Sequence, residues 1–412
     1  MVKRVRACAL AFALLAALPQ LAIAQDAAFF DDSVVHEIRL TVNTKDWASL
    51  KEHFQDNTYY PADFKWRDQV VRNVGIRSRG TGSRRPNKPS LRVDFNRYTT
   101  GQEFLGLKSF ILRNNSQDAS NMRERLSMLF FRRLGVPAER EAHTRLYVNN
   151  EYIGLFTIVE SLDKDFLKKN VGEDGGHLYE YHFDNEAVLA GAAPFVFQNL
   201  GSDPALYTPD PFKPQTQETD PQGDVIAKWV AAINDKGAGW RTNIAAFIDL
   251  VKHLRALAIE NFLGEEDGIT GDYGPNNFYL YRFNNSTRFQ FLPWDKSNTF
   301  WDVNFSILRN IVDGPVDHRN LLVVRAMQEP DLKQLYLDSI LEAANSATEG
   351  ETSSTPGWLS AEIEREYAQI RAAALEDTSL FTNAEFEQAV NDLRSFAQAR
   401  GAIVKAQVAA AR

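Results

Sequence analysis

Cysteine is nearly absent from this chain: of 412 residues only Cys8 carries a thiol, and it lies in an N-terminal stretch that reads as a removable leader. Disulfides and thiolate chemistry are therefore not expected in the mature protein. Histidine is sparse too. The seven are scattered, with no His-Glu-x-x-His and no paired Cys/His spacing, which argues against a zinc enzyme. No Gly-x-Ser-x-Gly elbow occurs. Positive charge is in deficit, 46 Lys and Arg against 54 Asp and Glu for a formal charge of -8, so nucleic acid is not an expected partner. Beyond the leader, no apolar run approaches the roughly 20 residues that a membrane-spanning helix needs.

The leader itself is well patterned. Lys3, Arg4 and Arg6 precede an apolar stretch from Ala7 to Leu18, and Ala22-Ile23-Ala24 forms a small-residue exit. Residues 1–24 are expected to be a cleaved secretory signal peptide, with a retained anchor helix as the alternative. The mature protein would be secreted, periplasmic or at the cell surface. Losing Lys3, Arg4 and Arg6 moves its formal charge from -8 to -11. What remains is long enough for two closely packed lobes or one elaborate domain, at roughly 100–200 residues each. Seven tryptophans and 27 phenylalanines provide for a large core.

Val34 to Val42 alternates like an opening strand, and Asp46 to Phe54 follows with the spacing of a short helix. Gln69 to Arg79 and Lys88 to Phe95 alternate again, flanking a loop rich in Gly, Arg and Pro. Phe110 to Arg113 predicts a strand, and Ser120 to Leu134 an amphipathic helix ended by Gly135 and Pro137. Thr144 to Val148 with Tyr152 to Val159 predicts a hairpin around Asn149-Asn150. Five prolines from Pro204 to Pro221 mark residues 184–224 as an irregular insertion. Helical spacing follows at Val225 to Asn234, Ile244 to Phe262, Leu332 to Ala347, Leu359 to Glu376 and Asn383 to Ala409. Among these, Asn277 to Phe283 and Phe289 to Leu292 predict two strands joined at Asn284-Asn285. The expected class is α+β, with a β-rich lobe over residues 25–160 and a mainly helical one over 161–412.

Asp272 and Asn277 precede that last hairpin and Asp295 follows it. Phosphoryl transfer needs such a set: one carboxylate orients the nucleophile's proton, while an Asn oxygen and a second carboxylate hold magnesium, a hard cation that prefers oxygen. An Asp, an Asn five residues on, a hairpin and another Asp is also the order used by protein kinases. The plainer reading has Asp272 and Asn277 bonding within a Gly-Pro turn and Asp295 capping a loop. Upstream, RSRGTGSRRPNKPSLRVDF sets Gly80 and Gly82 among Arg79, Arg84 and Arg85 and brings Lys88 to the start of a strand. Glycine amides can approach phosphates closely and cations neutralise them; a hairpin turn with solvated arginines is the other reading. Arg123 and Arg125 lie on a helix face away from Met122, Leu126, Leu129 and Phe130, where either could reach a phosphate or face solvent. Glu124 could pair with Lys88. Glu160, which ends YIGLFTIVE, is a candidate lobe-junction residue near an adenine, or an ordinary strand-end carboxylate.

Five blocks in this order resemble the CotH (spore coat protein H) kinase family: GIRSRGTGSRRPNKPSLRVDF, LRNNSQDASNMRERLSMLFFRRLGVPAE, YVNNEYIGLFTIVESLDKDFL, the Asp272 to Trp301 segment, and LRSFAQARGAIVKAQV. The resemblance implies an atypical protein-kinase-like bilobal fold, with a mainly antiparallel β N-lobe, a mainly helical C-lobe and ATP held between them. It also implies protein phosphorylation with ATP and Mg²⁺ or Mn²⁺, acting on an extracytoplasmic protein substrate. Carried over by motif, Lys88 resembles the phosphate-binding lysine and Asp272 the catalytic aspartate, while Asn277 and Asp295 resemble the metal ligands. Gly80, Gly82 and Arg84 fall in the nucleotide-binding turn, and Arg123 and Glu160 occupy the Met-Arg and Gly-x-x-x-x-x-Glu positions. Where the family often has Trp-Asp-x-Asp, this chain has Trp294-Asp295-Lys296-Ser297, a hydroxyl replacing a second acid, and the stretch around Asp272 is unusually glycine-rich. A noncatalytic surface or envelope binding protein on the same fold is the rival expectation. A hydrolase with paired carboxylates ranks third, since it would leave Lys88 and the Gly-rich turn unexplained.

Overall fold

Alternation along His36–Val42 (β1) turns His36, Ile38, Leu40 and Val42 inward and leaves Glu37 and Thr41 exposed. In the computed structural model, which describes residues 26–182, 187–188 and 190–412, this strand opens a closed seven-stranded barrel. The leader expected at residues 1–24 lies outside the described residues. The chain forms two units. One runs to Asn121 and adds Arg140–Ser161 and Gln369–Asn383; the other comprises Met122–Glu139, Leu162–Ala368 and Ala384–Arg412.

The barrel continues through Tyr60–Trp66 (β2), Gln69–Ser78 (β3), Leu91–Asp94 (β4), Ser109–Arg113 (β5), Glu141–Val148 (β6) and Glu151–Glu160 (β7), in the order β1-β2-β3-β4-β5-β7-β6. The two hairpins expected from alternation are present. β3 pairs with β4 from Gly75↔Asp94 to Ser78↔Leu91, and β6 turns into β7 through Asn149 and Asn150, both at positive φ as a tight turn requires. Closure comes from a parallel pairing of β6 on β1, Ile38 opposite Leu146, which no local pattern announces. β2 was not among the expected elements, and opposite Gly75 of β3 it contains Pro61. Its missing N–H is harmless: pairing with β1 ends at Val42↔Ala62, one residue short of it. Inside the barrel Phe29, Phe64, Phe95, Phe104 and Phe110 are buried, with Phe64 and Phe104 centroids 4.9 Å apart and Phe29 and Phe110 5.1 Å apart. Edge-to-face contacts of this kind add to the roughly 1.5–3 kcal/mol that burying each ring contributes.

The second unit holds a four-stranded antiparallel sheet of His177–Tyr181 (β8), Phe212–Pro214 (β9), Phe278–Arg282 (β10) and Phe289–Pro293 (β11), in the order β11-β10-β8-β9. Helices surround it at Arg123–Arg133, Gly223–Ile233, Trp240–Ala245, Leu250–Leu263, Pro330–Ala347, Trp358–Glu376 and Asn383–Ala411, the last residues of Trp358–Glu376 belonging to the barrel unit. One helix had been expected from Ile244 to Phe262. Asp249 divides it, because its carboxylate accepts the N–H groups of Val251 and Lys252 and starts a new helix there. Arg400, fully buried on the final helix, donates to the carbonyls of Asn261, Phe262, Val303 and Phe305. It thereby satisfies carbonyls at the end of Leu250–Leu263 that the helix cannot. Residues 184–224, expected to be irregular, contain β9 and a short 3-10 turn at Pro204–Leu206. No helix among the described residues is long and apolar enough to cross a membrane.

Candidate active site

β10 and β11 pair from Phe278↔Pro293 to Arg282↔Phe289, so the residue before β10 and those just after β11 emerge at one end of the hairpin. These are Asn277 and Trp294-Asp295; the Trp294 N–H donates to the Asn277 carbonyl at 3.2 Å. Asn277 and Asp295 both adopt left-handed backbone, at φ +55 and +48, a conformation that Asn and Asp tolerate better than most side chains.

A residue absent from the expected set completes this end. The Asn277 side-chain amide donates to the Asp267 carbonyl at 3.0 Å and to Asp267 Oδ2 at 2.8 Å, while the Asn276 amide donates to Oδ1 at 2.9 Å. With its N–H₂ spent on Asp267, the amide of Asn277 has Oδ1 left as its acceptor. Burial, and then the negative charge of Asp295, push the Asp267 carboxyl above its ordinary range, against the lowering effect of the two amides and Lys296. Ser297 Oγ donates to Asp295 Oδ1 at 3.0 Å, so the hydroxyl at 297 orients that carboxylate. Asp267, Asn277 and Asp295 offer an all-oxygen donor set, with the charge of Asp295 acting on the Asp267 carboxyl, which fits a hard divalent cation.

Beneath them Lys296 is wholly buried, its Nζ 2.7 Å from Glu260 Oε1 and 2.9 Å from the Asn277 carbonyl. Burial alone would depress this lysine; Glu260 and Glu265 outweigh it, and its pKa rises. Glu265 accepts the Asp267 N–H at 2.8 Å through Oε1, and burial lifts its carboxyl to about 8. Sequence offered little warning of Asp267, which lies ten positions before Asn277 across a glycine-rich loop without periodicity.

Asp272 is placed differently. Its carboxylate is bound bidentately by Arg309, Nε to Oδ1 at 2.8 Å and Nη2 to Oδ2 at 2.6 Å, and Asn310 donates to Oδ1 at 3.1 Å. The hydrogen-bonded partner of Asn277 is thus Asp267. Arg123, expected to reach a phosphate or solvent, is buried with its guanidinium 3.4 Å from the centroid of the Trp301 ring. Arg125 is buried as well, ion-paired to Glu362 and to Glu366.

The barrel unit carries the other expected residues. Gly80, at φ +112, opens the turn; a Cβ there would lie 2.4 Å from Ser83 Oγ. Gly82 is exposed, with open space around it. Arg84 is turned inward: it donates to the carbonyls of Gly80, Phe54, Gln55 and Asp56 and to Asn57 Oδ1, binding the turn to the loop before β2. Asn114, from the LRNNS block, holds the far side of the turn through the Ser83 and Lys88 carbonyls. Glu160 is taken by Arg140, whose Nη2 and Nε reach its two oxygens at 2.6 and 3.0 Å. The ion-pair partner of Lys88 is Asp377, at 2.6 Å, where the sequence suggested Glu124.

The family model described as CotH kinase protein matches residues 76–404. Inner spore coat protein H of Bacillus subtilis (strain 168) is 26% identical over 300 residues, which is 72% of this chain and 78% of that protein. A crystal structure of the Helicobacter pylori proinflammatory kinase CtkA aligns over 81% of this chain and 94% of its own, at 9% identity and a TM-score of 0.30.

Proposed function

The chain belongs to the CotH kinase protein family, and from that premise we propose that it is an ATP-dependent protein kinase of atypical, bilobal kinase-like fold, transferring the γ-phosphoryl group to hydroxyl side chains of an extracytoplasmic protein. The observation that carries this reading is the convergence of Asn277 and Asp267, with Asp295, at one end of the β10–β11 hairpin. These three residues would hold Mg²⁺ or Mn²⁺, which when bound would neutralise charge on the phosphates. Asp272, half-buried and steered by Arg309, would orient the acceptor hydroxyl. The acceptor oxygen forms the new P–O bond, the bond from the γ-phosphorus to its bridging oxygen breaks, ADP leaves, and the hydroxyl proton passes to the Asp272 carboxylate. Lys88, with the Gly80 and Gly82 turn, would serve the phosphates. Arg84, Arg123 and Glu160 act here as supports, since each is already engaged by neighbours. A place outside the cytoplasm is supported by the leader pattern at residues 1–24 and by the relative's name, a spore coat protein.

The test is label transfer from [γ-³²P]ATP with Mg²⁺ or Mn²⁺ to the protein itself or to a generic protein acceptor. Asp295→Ala and Asp267→Asn are expected to abolish transfer together with metal-dependent nucleotide binding. Asp272→Asn should lower transfer by about 10²–10⁴-fold, the usual weight of a positioned base, and leave binding intact. Absence of both transfer and metal-dependent nucleotide binding in the wild type would select the second reading, a noncatalytic surface or envelope module, to which the hydroxyl at Ser297 gives its support.

A further inference from the structure

Lys88 is a buried cation. Only 2% of the residue is exposed, its Nζ lies 5.0 Å from the centroid of the Phe156 ring, and its hydrogen-bond acceptor among the described residues is Asp377 Oδ2 at 2.6 Å. Asp377 comes 289 positions later in the chain, immediately after the helix Trp358–Glu376, in the segment Gln369–Asn383 that belongs to the barrel unit.

The seat for that carboxylate is built in detail. Oδ2 also accepts the Leu155 N–H at 2.8 Å, and Oδ1 accepts the Ser379 hydroxyl at 2.5 Å. Gly154 makes room for it: a Cβ at this residue, whose φ is +144, would lie 2.3 Å from Oδ2. On either side the segment is tied down by Tyr152 Oη donating to the Ala373 carbonyl at 3.1 Å and by the Asn87 amide donating to the Ser379 carbonyl at 2.7 Å. Thus β7, the Gly-rich turn and the distant segment all contribute to one buried pair. Burial by itself disfavours the ammonium, and the nearby carboxylate opposes that effect.

Resting on the reading of Lys88 as the phosphate-binding lysine, we propose that Asp377 is the positioning residue for that lysine, holding its ammonium charged and aimed so that nucleotide affinity depends on a carboxylate that touches no nucleotide. The alternative is a staple, in which the pair only pins residues 369–383 to the barrel and Lys88 serves nothing else.

Affinity for a fluorescent ATP analogue (mant-ATP) with Mn²⁺ and thermal unfolding, measured on the full mature chain, separate the two. Lys88→Met and Asp377→Asn should each weaken binding about tenfold or more, a loss of at least one charge-assisted contact. Lys88→Met/Asp377→Asn should be no weaker than Lys88→Met alone, and Asp377→Glu should recover part of the loss. Asp377→Asn binding as tightly as wild type while Lys88→Met does not would overturn the proposal. If Asp377→Asn fails to fold, Ser379→Ala decides: it removes one orienting hydroxyl and keeps both charges, so weaker binding at unchanged melting temperature supports positioning, and unchanged binding sinks it. Should wild type bind and Lys88→Met bind equally well, it is the role of Lys88 itself that fails, whatever Asp377 does.

Discussion

The helix Leu250–Leu263 carries His253 into the core at 2% exposure, 4.3 Å centroid to centroid from Phe291. Neither ring nitrogen has a hydrogen-bond partner among the described residues. Burial keeps the imidazole neutral, lowering its pKa from 6.5 to about 3. Between those two values the unfolded chain binds a proton that the folded chain refuses, so stability that is full above pH 6.5 is lost as pH falls through the window. At 1.36 kcal/mol per pH unit, going from neutrality to pH 5 costs about 2 kcal/mol through this one residue. Replacing it by leucine removes the titration and also relieves two unpartnered nitrogens, a burden on the order of 1–3 kcal/mol. His253→Leu should therefore be more stable than wild type by about 1 kcal/mol at pH 7 and by about 3 kcal/mol at pH 5. Urea unfolding of both proteins at the two pH values, followed by tryptophan fluorescence, gives the difference directly, and groups that titrate in both proteins cancel. A variant less stable than wild type at pH 7, or one whose advantage does not grow on acidification, would refute the reasoning.

Arg125→Met takes the guanidinium from the fully buried Glu366, whose carboxyl burial already lifts to about 8, while Glu362 keeps Arg365; it should cost about 1–3 kcal/mol in thermal or urea unfolding, with part regained in Arg125→Met/Glu366→Leu. Glu265 titrates in the opposite sense to His253: its folded pKa, about 8, lies above the ordinary 4.5, so its contribution declines as pH rises from 4.5 to 8. Glu265→Gln keeps an acceptor for the Asp267 N–H and should gain up to about 3 kcal/mol on wild type by pH 7, read from unfolding curves at pH 5 and 7. Ser297→Asp restores the acid common in the family beside Asp295 and should raise Mn²⁺ affinity about tenfold by calorimetric titration while destabilising the metal-free protein; unchanged affinity would remove position 297 from the site.

Periodicity made most of the fold legible. Period-two alternation located β1, and 3.6-residue spacing located the C-terminal helices to within a few residues, because those elements bury one face and expose the other; β6 and β7, buried on both faces over much of their length, were marked instead by the Asn149-Asn150 turn between them. Two kinds of feature escaped. One is long-range pairing, such as β6 against β1 or β10 against β8, which depends on partners about a hundred residues distant. The other is short elements with strained signals, among them β2 with its Pro61 and β9 with Pro214. At the candidate site the hairpin explains why Asn277 and Asp295 were readable, since strand pairing converts an 18-residue separation into adjacency. Lys88 was readable from its place at the entry to a strand; Asp377 was not, as nothing in DTSLF distinguishes it from a helix-ending turn.

The replacement of an acid by Ser297 looks at first like a loss of metal-binding charge. The charges around it argue otherwise. Asp295 and Asp267 both face the end of the hairpin, and the buried cation nearby, Lys296, is already matched by Glu260. Glu265, lifted to about 8, is neutral through most of the physiological range and adds no further negative charge. Burial, and then the negative charge of Asp295, hold the Asp267 carboxyl above its ordinary range against the two amides and Lys296. Ser297 contributes direction in place of charge, its hydroxyl fixing one oxygen of Asp295. A third carboxylate at 297 would strengthen attraction for a divalent cation but add repulsion to a loop where Asn277 and Asp295 already hold left-handed backbone. With Asp267 delivered by the glycine-rich loop, the candidate site offers two carboxylates and one amide, oxygen donors of the kind that the proposed Mg²⁺ or Mn²⁺ would take.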